Sequence, residues 1–250
     1  AAGTLLYFPT DTLQNISWGI TASAEETGAG TESGSQTWTE GNLTWTLDTD
    51  GTMTISGEGV MKSYRIGNSP ATQKEDSVKK VVIEYGVTSI GEYAFYDCSS
   101  LTSIEIPSNV ESIGNYAFYN CTGLENIRIP KSVTSVGDKA FSNCGKLTEV
   151  LLEGGSELTS GQLGVDESQI VTYWNEGDLT WTLTADGTLT ISGSGAMKDY
   201  SWSASSPATQ KKDSVKKVVI EEGVTSIGRS AFSDCTGLTS IEIPEGVTSI

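Results

Sequence analysis

Apolar and polar positions repeat along the middle of this chain with a fixed period, which leads from Cys98 to Cys121 and, in an equal step, from Cys121 to Cys144. The repeated unit has the form L-x-x-I-x-I-P-x-x-V-x-x-I-G-x-x-A-F-x-x-C. A fixed period of this length is typical of a solenoid, in which each unit forms one coil and neighbouring coils cover each other's apolar faces. One complete unit comprises Leu101, Ile104, Ile106, Pro107, Val110, Ile113, Gly114, Ala117, Phe118 and Cys121.

Each unit predicts three short elements. The L-x-x-I-x-I stretch alternates near its end, which favours a strand with Ile104 and Ile106 facing inward. Pro107 has no N–H for a strand ladder, so this strand should stop there. V-x-x-I-G is β-branched and favours a second short strand, whereas A-F-x-x-C favours a helical turn. Stacked coils should then form a buried ladder of equivalent side chains: Phe95, Phe118, Phe141, Phe232, Cys98, Cys121, Cys144 and Cys235.

A longer period lies over the first, because residues 42–64 recur almost unchanged at 178–200. In each copy two alternating stretches flank an Asp-Gly pair, which predicts a β-hairpin. Such a hairpin would cover the open end of the coils that follow, where apolar surface and an unpaired strand edge would otherwise be exposed. We expect Trp45 and Trp181 to fill the cores of these caps rather than to bind ligand.

The predicted fold class is mainly β with short helical turns, arranged as solenoid arrays that each follow a hairpin lead-in. Ala22-Ser23-Ala24 resembles a secretory cleavage site, although a charged start and a clean apolar core are missing. The second array stops at Ile250 in the middle of a unit, so we expect the chain to be part of a longer protein. The predicted divisions are 1–36 (export-signal remnant or flexible tail), 37–77 (first β lead-in), 78–155 (first array), 156–173 (a Gly-, Ser- and acid-rich linker), 174–214 (second β lead-in) and 215–250 (second array, truncated).

Composition and charge exclude several classes of function. The chain carries 15 basic and 32 acidic residues, a net charge of −17. Such a surface repels phosphate backbones and anionic lipid headgroups, so we expect neither nucleic-acid binding nor electrostatic membrane binding. The sequence has no apolar run of the ~18 residues that a membrane helix needs, so membrane insertion is not expected.

The four cysteines and the lack of histidine narrow the chemistry further. Equivalent cysteines of adjacent coils would be close enough for disulfides, but their Cβ atoms should point the same way, which disfavours the required torsion. We therefore favour buried free thiols. Cysteines spread along a ladder, with no histidine in the chain, do not predict a zinc site or any cofactor. Because the sequence contains no histidine, Ser-His-Asp and Cys-His catalysis are excluded for these 250 residues. Catalysis by a pair of carboxylates, as in glycosidases, remains an alternative.

The repeated Ile-Pro, Ala-Phe and Cys elements resemble the BspA-type leucine-rich repeat of bacterial surface proteins over residues 78–152 and 215–250. The lead-in W-T-L-x-x-D-G-T-L-T-I-S-G resembles the segment that often precedes such arrays in anaerobic gut bacteria. The resemblance implies a leucine-rich-repeat solenoid in a secreted or cell-surface protein that binds host matrix proteins or other cells without catalysis. The resemblance does not assign a binding role to any residue of this sequence.

The outward strand positions of the first array are the predicted contact surface, because equivalent strands should stack into one sheet across the coils. We expect a monomeric, non-catalytic binding or adhesion module whose ligand is an extracellular protein or glycan. The alternative is that the arrays are spacer or targeting repeats on an enzyme domain elsewhere in the protein. The predicted contact residues are Ser103, Glu105, Asn126, Arg128, Glu149 and Leu151.

Overall fold

The computed structural model describes residues 34–250, so the prediction for residues 1–36 lies almost wholly outside the described residues. The described chain is mainly strand, as predicted, with two single-turn α-helices and two 3₁₀ turns, Thr72–Lys74 and Glu167–Gln169. The strands of the first half are β1 (Gln36–Glu40), β2 (Leu43–Leu47), β3 (Thr52–Gly57), β4 (Gly59–Val60), β5 (Lys80–Ile83), β6 (Val87–Ile90), β7 (Ser103–Glu105), β8 (Ser112–Ile113), β9 (Asn126–Ile129), β10 (Ser135–Val136) and β11 (Glu149–Glu153). The second half contains α1 (Ser160–Leu163), β12 (Ile170–Glu176), β13 (Leu179–Thr184), β14 (Thr188–Gly193), β15 (Gly195–Ala196), α2 (Pro207–Gln210), β16 (Lys217–Ile220), β17 (Val224–Ser226) and β18 (Ser240–Glu242).

Each lead-in contains the predicted hairpin, preceded by one further strand. Strands β1, β2 and β3 form an antiparallel meander, and β12, β13 and β14 form its counterpart. The Asp50 carboxylate accepts a hydrogen bond from the Thr52 N–H at 2.8 Å, and Gly51 supplies the positive φ of 91° that the turn requires. Because side chains alternate along a strand, Trp45 and Trp181 face inward and are fully buried, as expected of cap core.

Two strand stacks carry the coils. The first strands pair in parallel, with Lys80 opposite Ser103 and Asn126 opposite Glu149, so that each residue lies beside its equivalent in the next repeat. The second strands form a separate parallel sheet in the order β10-β8-β6-β4. Both strands of the repeat are therefore confirmed. The single sheet expected across the coils is not, because the ladder is interrupted between β7 and β9, which belong to different sheets.

The A-F-x-x-C segment does not form the predicted helical turn. It consists of successive tight turns, with the Tyr93 and Asp97 backbones in the left-handed region at φ of 55° and 59°. Alternate N–H groups point to the next coil: Phe95 donates to the Ala117 carbonyl at 2.8 Å, and Asp97 to the Tyr119 carbonyl at 2.9 Å. A helix would direct these N–H groups along its own axis, so the turn conformation gives the coils a third line of hydrogen bonds.

A ladder of phenylalanine rings runs through the coil interior. Phe95 and Phe118 are stacked with ring centroids 5.2 Å apart, and Phe118 and Phe141 with centroids 5.4 Å apart. The indole of Trp45 ends the stack, 5.7 Å from Phe95. We call each lead-in together with its array a module, so that the first module is 37–155 and the second is 174–250. In the second module the partly buried Phe232 lies 6.0 Å from Trp181 in the same way. The caps therefore supply the aromatic surface that a preceding coil would otherwise provide.

The glycine that follows each second strand sits where two coils touch. A Cβ on Gly114 would lie 2.5 Å from the Glu92 nitrogen, and one on Gly137 would lie 2.4 Å from the Asn115 nitrogen. Neither glycine has a positive φ. The close approach of the neighbouring backbone is therefore what requires glycine in this position of the repeat.

The segment predicted as a linker, 156–173, is folded. It contains α1, a 3₁₀ turn and the first residues of β12, and its buried Leu158 and Leu163 belong to the core of the first array. Strand β12 pairs in parallel with β11, with Val150 opposite Ile170, so this coil is slightly shorter than the repeat. The helix is fixed by a capping box in which Thr159 and Gln162 each bond the other's backbone N–H. The two arrays are thus joined by one continuous sheet, in the order β18-β16-β14-β13-β12-β11-β9.

The four cysteines are free; Cys98 and Cys121 are buried, whereas Cys144 and Cys235 are partly exposed. Cys121 Sγ donates to the Phe95 carbonyl oxygen at 3.1 Å, and Cys144 Sγ donates to the carbonyl of the next phenylalanine in the ladder at 3.2 Å. Burial raises the pKa of Cys98 and of Cys121 well above the usual range for a thiol, and raises the pKa of Cys144 to about 11. The thiolate is thus disfavoured throughout the ladder.

Alkylation should report this burial directly. Because the thiolate is the reactive form, Cys98 and Cys121 are expected to react with iodoacetamide at least about tenfold more slowly than Cys235 in the folded protein. Mass spectrometry of timed samples measures the four rates, and the same reaction in concentrated urea is the control, in which the four rates should converge. Equal rates in the folded protein would show that the coil interior is open to solvent.

Candidate binding surfaces of the first array

The six predicted contact residues lie on the outward side of β7, β9 and β11. The strand ladder is interrupted between β7 and β9, but these two strands remain in contact, so the six residues follow one outward face of the coils. Glu105, Asn126, Arg128 and Glu149 are exposed, whereas Ser103 and Leu151 are partly buried.

Several of these side chains already have partners within the chain. Lys80 Nζ lies 2.5 Å from a Glu105 carboxylate oxygen. The Arg128 guanidinium lies over the Tyr173 ring of β12, 4.8 Å from its centroid, and so is held against the sheet. Paired groups have less to offer a ligand, since their existing contacts must first be broken.

A surface that the sequence predictions missed lies on the turn side of the coils. Two pairs of half-buried tyrosines flank the buried Ala-Phe of consecutive coils: Tyr93, Tyr96, Tyr116 and Tyr119. We call these four residues the tyrosine surface. Equivalent rings stack, with Tyr93 and Tyr116 centroids 5.1 Å apart and Tyr96 and Tyr119 centroids 5.2 Å apart, both pairs within 7° of parallel. Their repetition in EYAFYDC and NYAFYNC, in two successive units, was the signal that could have identified them.

The repeat geometry positions these rings. Tyr93 and Tyr116 have φ of 55° and 53°, an unusual value for a bulky residue. Lys139 and Ser230 occupy the same repeat position with φ of 55°. The left-handed conformation therefore belongs to the repeat, and the inter-coil hydrogen bonds maintain it whichever side chain is present.

Polar groups surround the tyrosine surface. Asn120 Nδ2 donates to an Asp97 carboxylate oxygen at 2.6 Å, and Asn143 Nδ2 donates to the Tyr119 hydroxyl at 2.8 Å. Lys139 Nζ lies 5.8 Å from the Tyr116 ring centroid. Burial, followed by the nearby Asp97 charge, raises the pKa of Tyr96. Its hydroxyl is therefore a neutral donor and acceptor at physiological pH.

Residues 34–250 contain no group of three or more His, Cys, Asp or Glu side chains arranged to hold a metal ion. Over the same residues, no helix has both the length and the apolar character needed to cross a bilayer.

Several proteins of known structure are similar to this chain. Solved structures with similar chains include a leucine-rich repeat protein from Eubacterium ventriosum (22% identity, 84% of this chain and 60% of that chain, TM-score 0.35). A second is a leucine rich repeat protein of T. pallidum (19% identity, 83% of this chain and 83% of that chain, TM-score 0.33). A third is a leucine rich cell surface protein from Faecalibacterium prausnitzii (21% identity, 86% of this chain and 84% of that chain, TM-score 0.27). The chain thus spans about three-fifths of the Eubacterium ventriosum protein. No curated protein sequence matches it.

The family comparison covers more than half of the chain. The model of the BspA type leucine rich repeat region matches in six copies over residues 68–162 and 205–250. The first stretch ends within α1, and the second includes α2. The repeated coils, their phenylalanine ladder and this match agree, and the chain belongs to the BspA type leucine rich repeat family.

Proposed function

We propose that this chain is a non-catalytic, extracellular binding module of a bacterial surface protein, which attaches to a host matrix protein, a glycan or another cell. The observation that carries the proposal is the tyrosine surface, where four aromatic rings remain partly exposed on the turn side of the coils. Tyrosine is enriched at interfaces because its ring supplies apolar contact area and its hydroxyl supplies a hydrogen bond.

The stacking also lowers the cost of binding. Each ring of the tyrosine surface contacts a parallel ring in the adjacent coil and an inclined ring within its own coil. Tyr116 and Tyr119, for example, have centroids 5.6 Å apart. A side chain already restricted in this way loses little conformational freedom when a ligand covers it. The surface is therefore preorganised for a flat or extended partner.

Two features support a function without catalysis. The chain has no histidine, the usual general base near neutral pH. Burial raises the pKa of Cys98 and of Cys121, which disfavours the nucleophilic thiolate of these two residues. Family membership supports the extracellular location.

The tyrosine surface can be tested with substitutions that the chain itself tolerates. Ser230 and Ser233 occupy the positions of Tyr93 and Tyr96 in the second module. The variant Y93S/Y96S should therefore keep the fold. We expect it to bind any matrix protein or mucin glycan retained by the original chain at least about tenfold more weakly, because exposed aromatic anchors dominate interface energies. Surface plasmon resonance against immobilised matrix proteins and mucins measures the change.

The matched control is E105Q/N126A on the predicted strand face, which should change affinity by less than about twofold. Equal affinity of Y93S/Y96S and the original chain would refute the tyrosine surface as the contact. If the original chain retains none of the matrix proteins or glycans, the binding function itself is refuted.

One observation favours the alternative role as a spacer. The continuous sheet across β11 and β12 leaves no flexible connection between the arrays, which suits a rigid support for another domain. A spacer would show no retention in the same experiment, so the result separates the two proposals.

A further inference from the structure

A cavity of about 400 Å³ opens on the second module, between the loop before α2 and the turns before Cys235. This volume is within the range of small-molecule sites, ~300–1,000 Å³. Its lining is mostly hydroxyl side chains around one exposed indole, and it does not include the tyrosine surface. The lining residues that matter here are Trp202, Ser205, Ser230, Ser233 and Asp234.

Trp202 is fully exposed, which is unusual for the largest apolar side chain. It lies at the tip of a two-residue reverse turn closed by backbone hydrogen bonds between Ser201 and Ala204, at 3.2 Å and 3.0 Å. The base of the loop is fixed as well, because Ser206 Oγ donates to the Ala231 carbonyl at 2.5 Å. The indole is therefore presented to solvent by an ordered turn rather than by a loose end.

The first module shows why the cavity exists. Its loop is anchored in the same way, by Ser69 Oγ donating to the Ala94 carbonyl at 2.5 Å. The turn positions that carry Tyr93 and Tyr96 there carry Ser230 and Ser233 in the second module. Tyr93 and Ser230 share a φ of 55°, and Asp97 and Asp234 share a φ of 59°, so these turns have the same backbone and differ in their side chains. The loop before Pro207 is one residue longer than the loop before Pro70. Replacement of two phenol rings by hydroxymethyl groups leaves space beside the exposed indole.

The polar groups around this space have unused hydrogen-bonding capacity. The hydroxyls of Ser205, Ser230 and Ser233 and the carboxylate of Asp234 form no side-chain hydrogen bond with any residue in 34–250. The equivalent of Asp234 in the first module, Asp97, accepts a hydrogen bond from Asn120. An aromatic face beside several free hydroxyls and one carboxylate is complementary to a ligand with an apolar ring face and a rim of hydroxyl groups.

We propose that this cavity binds a pyranose unit of a neutral saccharide. The axial C–H face of the sugar packs on the Trp202 indole, and its ring hydroxyls bond to Ser230, Ser233 and Asp234. A peptide anchor would need an apolar pocket to enter, whereas the lining here consists of hydroxyl side chains and one carboxylate around the rings of Trp202 and Tyr200. The site lies on the second module, so it stands or fails independently of the tyrosine surface.

The test is titration of the chain with short oligosaccharides of glucose, xylose, mannose and N-acetylglucosamine, followed by the Trp202 indole N–H resonance in NMR spectra. At least one series should shift this resonance at millimolar concentration. W202A lacks this indole, so its binding is followed through the backbone amide resonances of Ser230 and Asp234, and it should bind that sugar at least about tenfold more weakly. S230Y/S233Y should abolish it, since this variant restores the rings that occupy the same positions in the first module.

The matched control is I66A, which removes the exposed apolar side chain of the corresponding loop in the first module and should leave saccharide affinity unchanged. The fold of each variant is checked by its thermal unfolding midpoint. The proposal is overturned if no saccharide shifts the Trp202 resonance, or if S230Y/S233Y binds as tightly as the original chain. A shift caused only by a peptide pool from digested fibrinogen would assign the cavity to peptides instead, and would also overturn it.

Discussion

Replacement of Phe118 by alanine is expected to lower the free energy of unfolding by about 3–5 kcal/mol, the cost of deleting a fully buried aromatic side chain. Phe118 has no exposed surface and stacks on both sides, 5.2 Å from the Phe95 centroid and 5.4 Å from the Phe141 centroid. Its removal would therefore open a void between two coils and break the aromatic stack at its centre. Urea denaturation followed by circular dichroism measures the loss.

The control for this variant is Phe118→Leu, which keeps most of the apolar volume and should cost less than about 1.5 kcal/mol. A loss below about 1 kcal/mol for Phe118→Ala would mean that the coils repack around the missing ring. The ladder would then not be a determinant of stability, and its periodicity would need another explanation.

Replacement of Gly114 by alanine should cost on the order of 3 kcal/mol, at the upper end of the range for overpacking. The added methyl group would lie 2.5 Å from the Glu92 nitrogen and 2.8 Å from the Glu92 Cα. These are backbone atoms of the preceding coil, so no side-chain rotation can relieve the contact. The coils would have to separate, which lengthens the inter-coil hydrogen bonds on either side.

Gly145→Ala is the matched control, because a Cβ there would have no neighbour within 4 Å and the residue does not have a positive φ. Its effect should be within about 0.5 kcal/mol in the same denaturation experiment. If both alanine variants unfold at the same urea concentration, the close approach of the Glu92 backbone to Gly114 is not the reason that glycine recurs at this position of the repeat.

The period of the repeat was sufficient to predict the solenoid, its two strands per coil and the aromatic ladder, because burial imposes the same apolar positions on every coil. The helical turn predicted for A-F-x-x-C was wrong, and part of the reason is local. Ala117 and Phe118 are compatible with helix, but Asp97 and Asn120 before the cysteines readily adopt the left-handed conformation, and both do so here. Their N–H groups then satisfy the neighbouring coil, a non-local gain that local propensity does not contain.

The prediction of a linker at 156–173 was wrong because it gave more weight to the polar composition of the segment than to its two apolar residues. Glycine, serine and acidic residues dominate this segment, yet Leu158 and Leu163 are buried and join the core of the first array. Strand β11 also needed a hydrogen-bonding partner, and β12 supplies it. Pairing between segments distant in the chain therefore decided the outcome.

The candidate sites were harder to predict than the fold. The outward strand positions follow from periodicity, but the partners of Glu105 and Arg128 come from other strands of the same sheets and become evident only in three dimensions. The tyrosine surface was visible as a repeated pair in the sequence. The cavity beside Trp202 was not visible in the sequence, because it depends on the path of one loop and on the space that two serine side chains leave unfilled.

Strand β12 pairs in parallel with β11 on one side and antiparallel with β13 on the other, so the lead-in of one module also completes the array before it. The nearly identical stretches 42–64 and 178–200 mark equivalent points in successive modules, and the distance between them is the length of one module. Unequal crossing-over between the DNA segments that encode them would add or remove one whole module in frame, and each new junction would reproduce the β11–β12 pairing. Genes for such proteins should therefore differ in length between strains by multiples of this module.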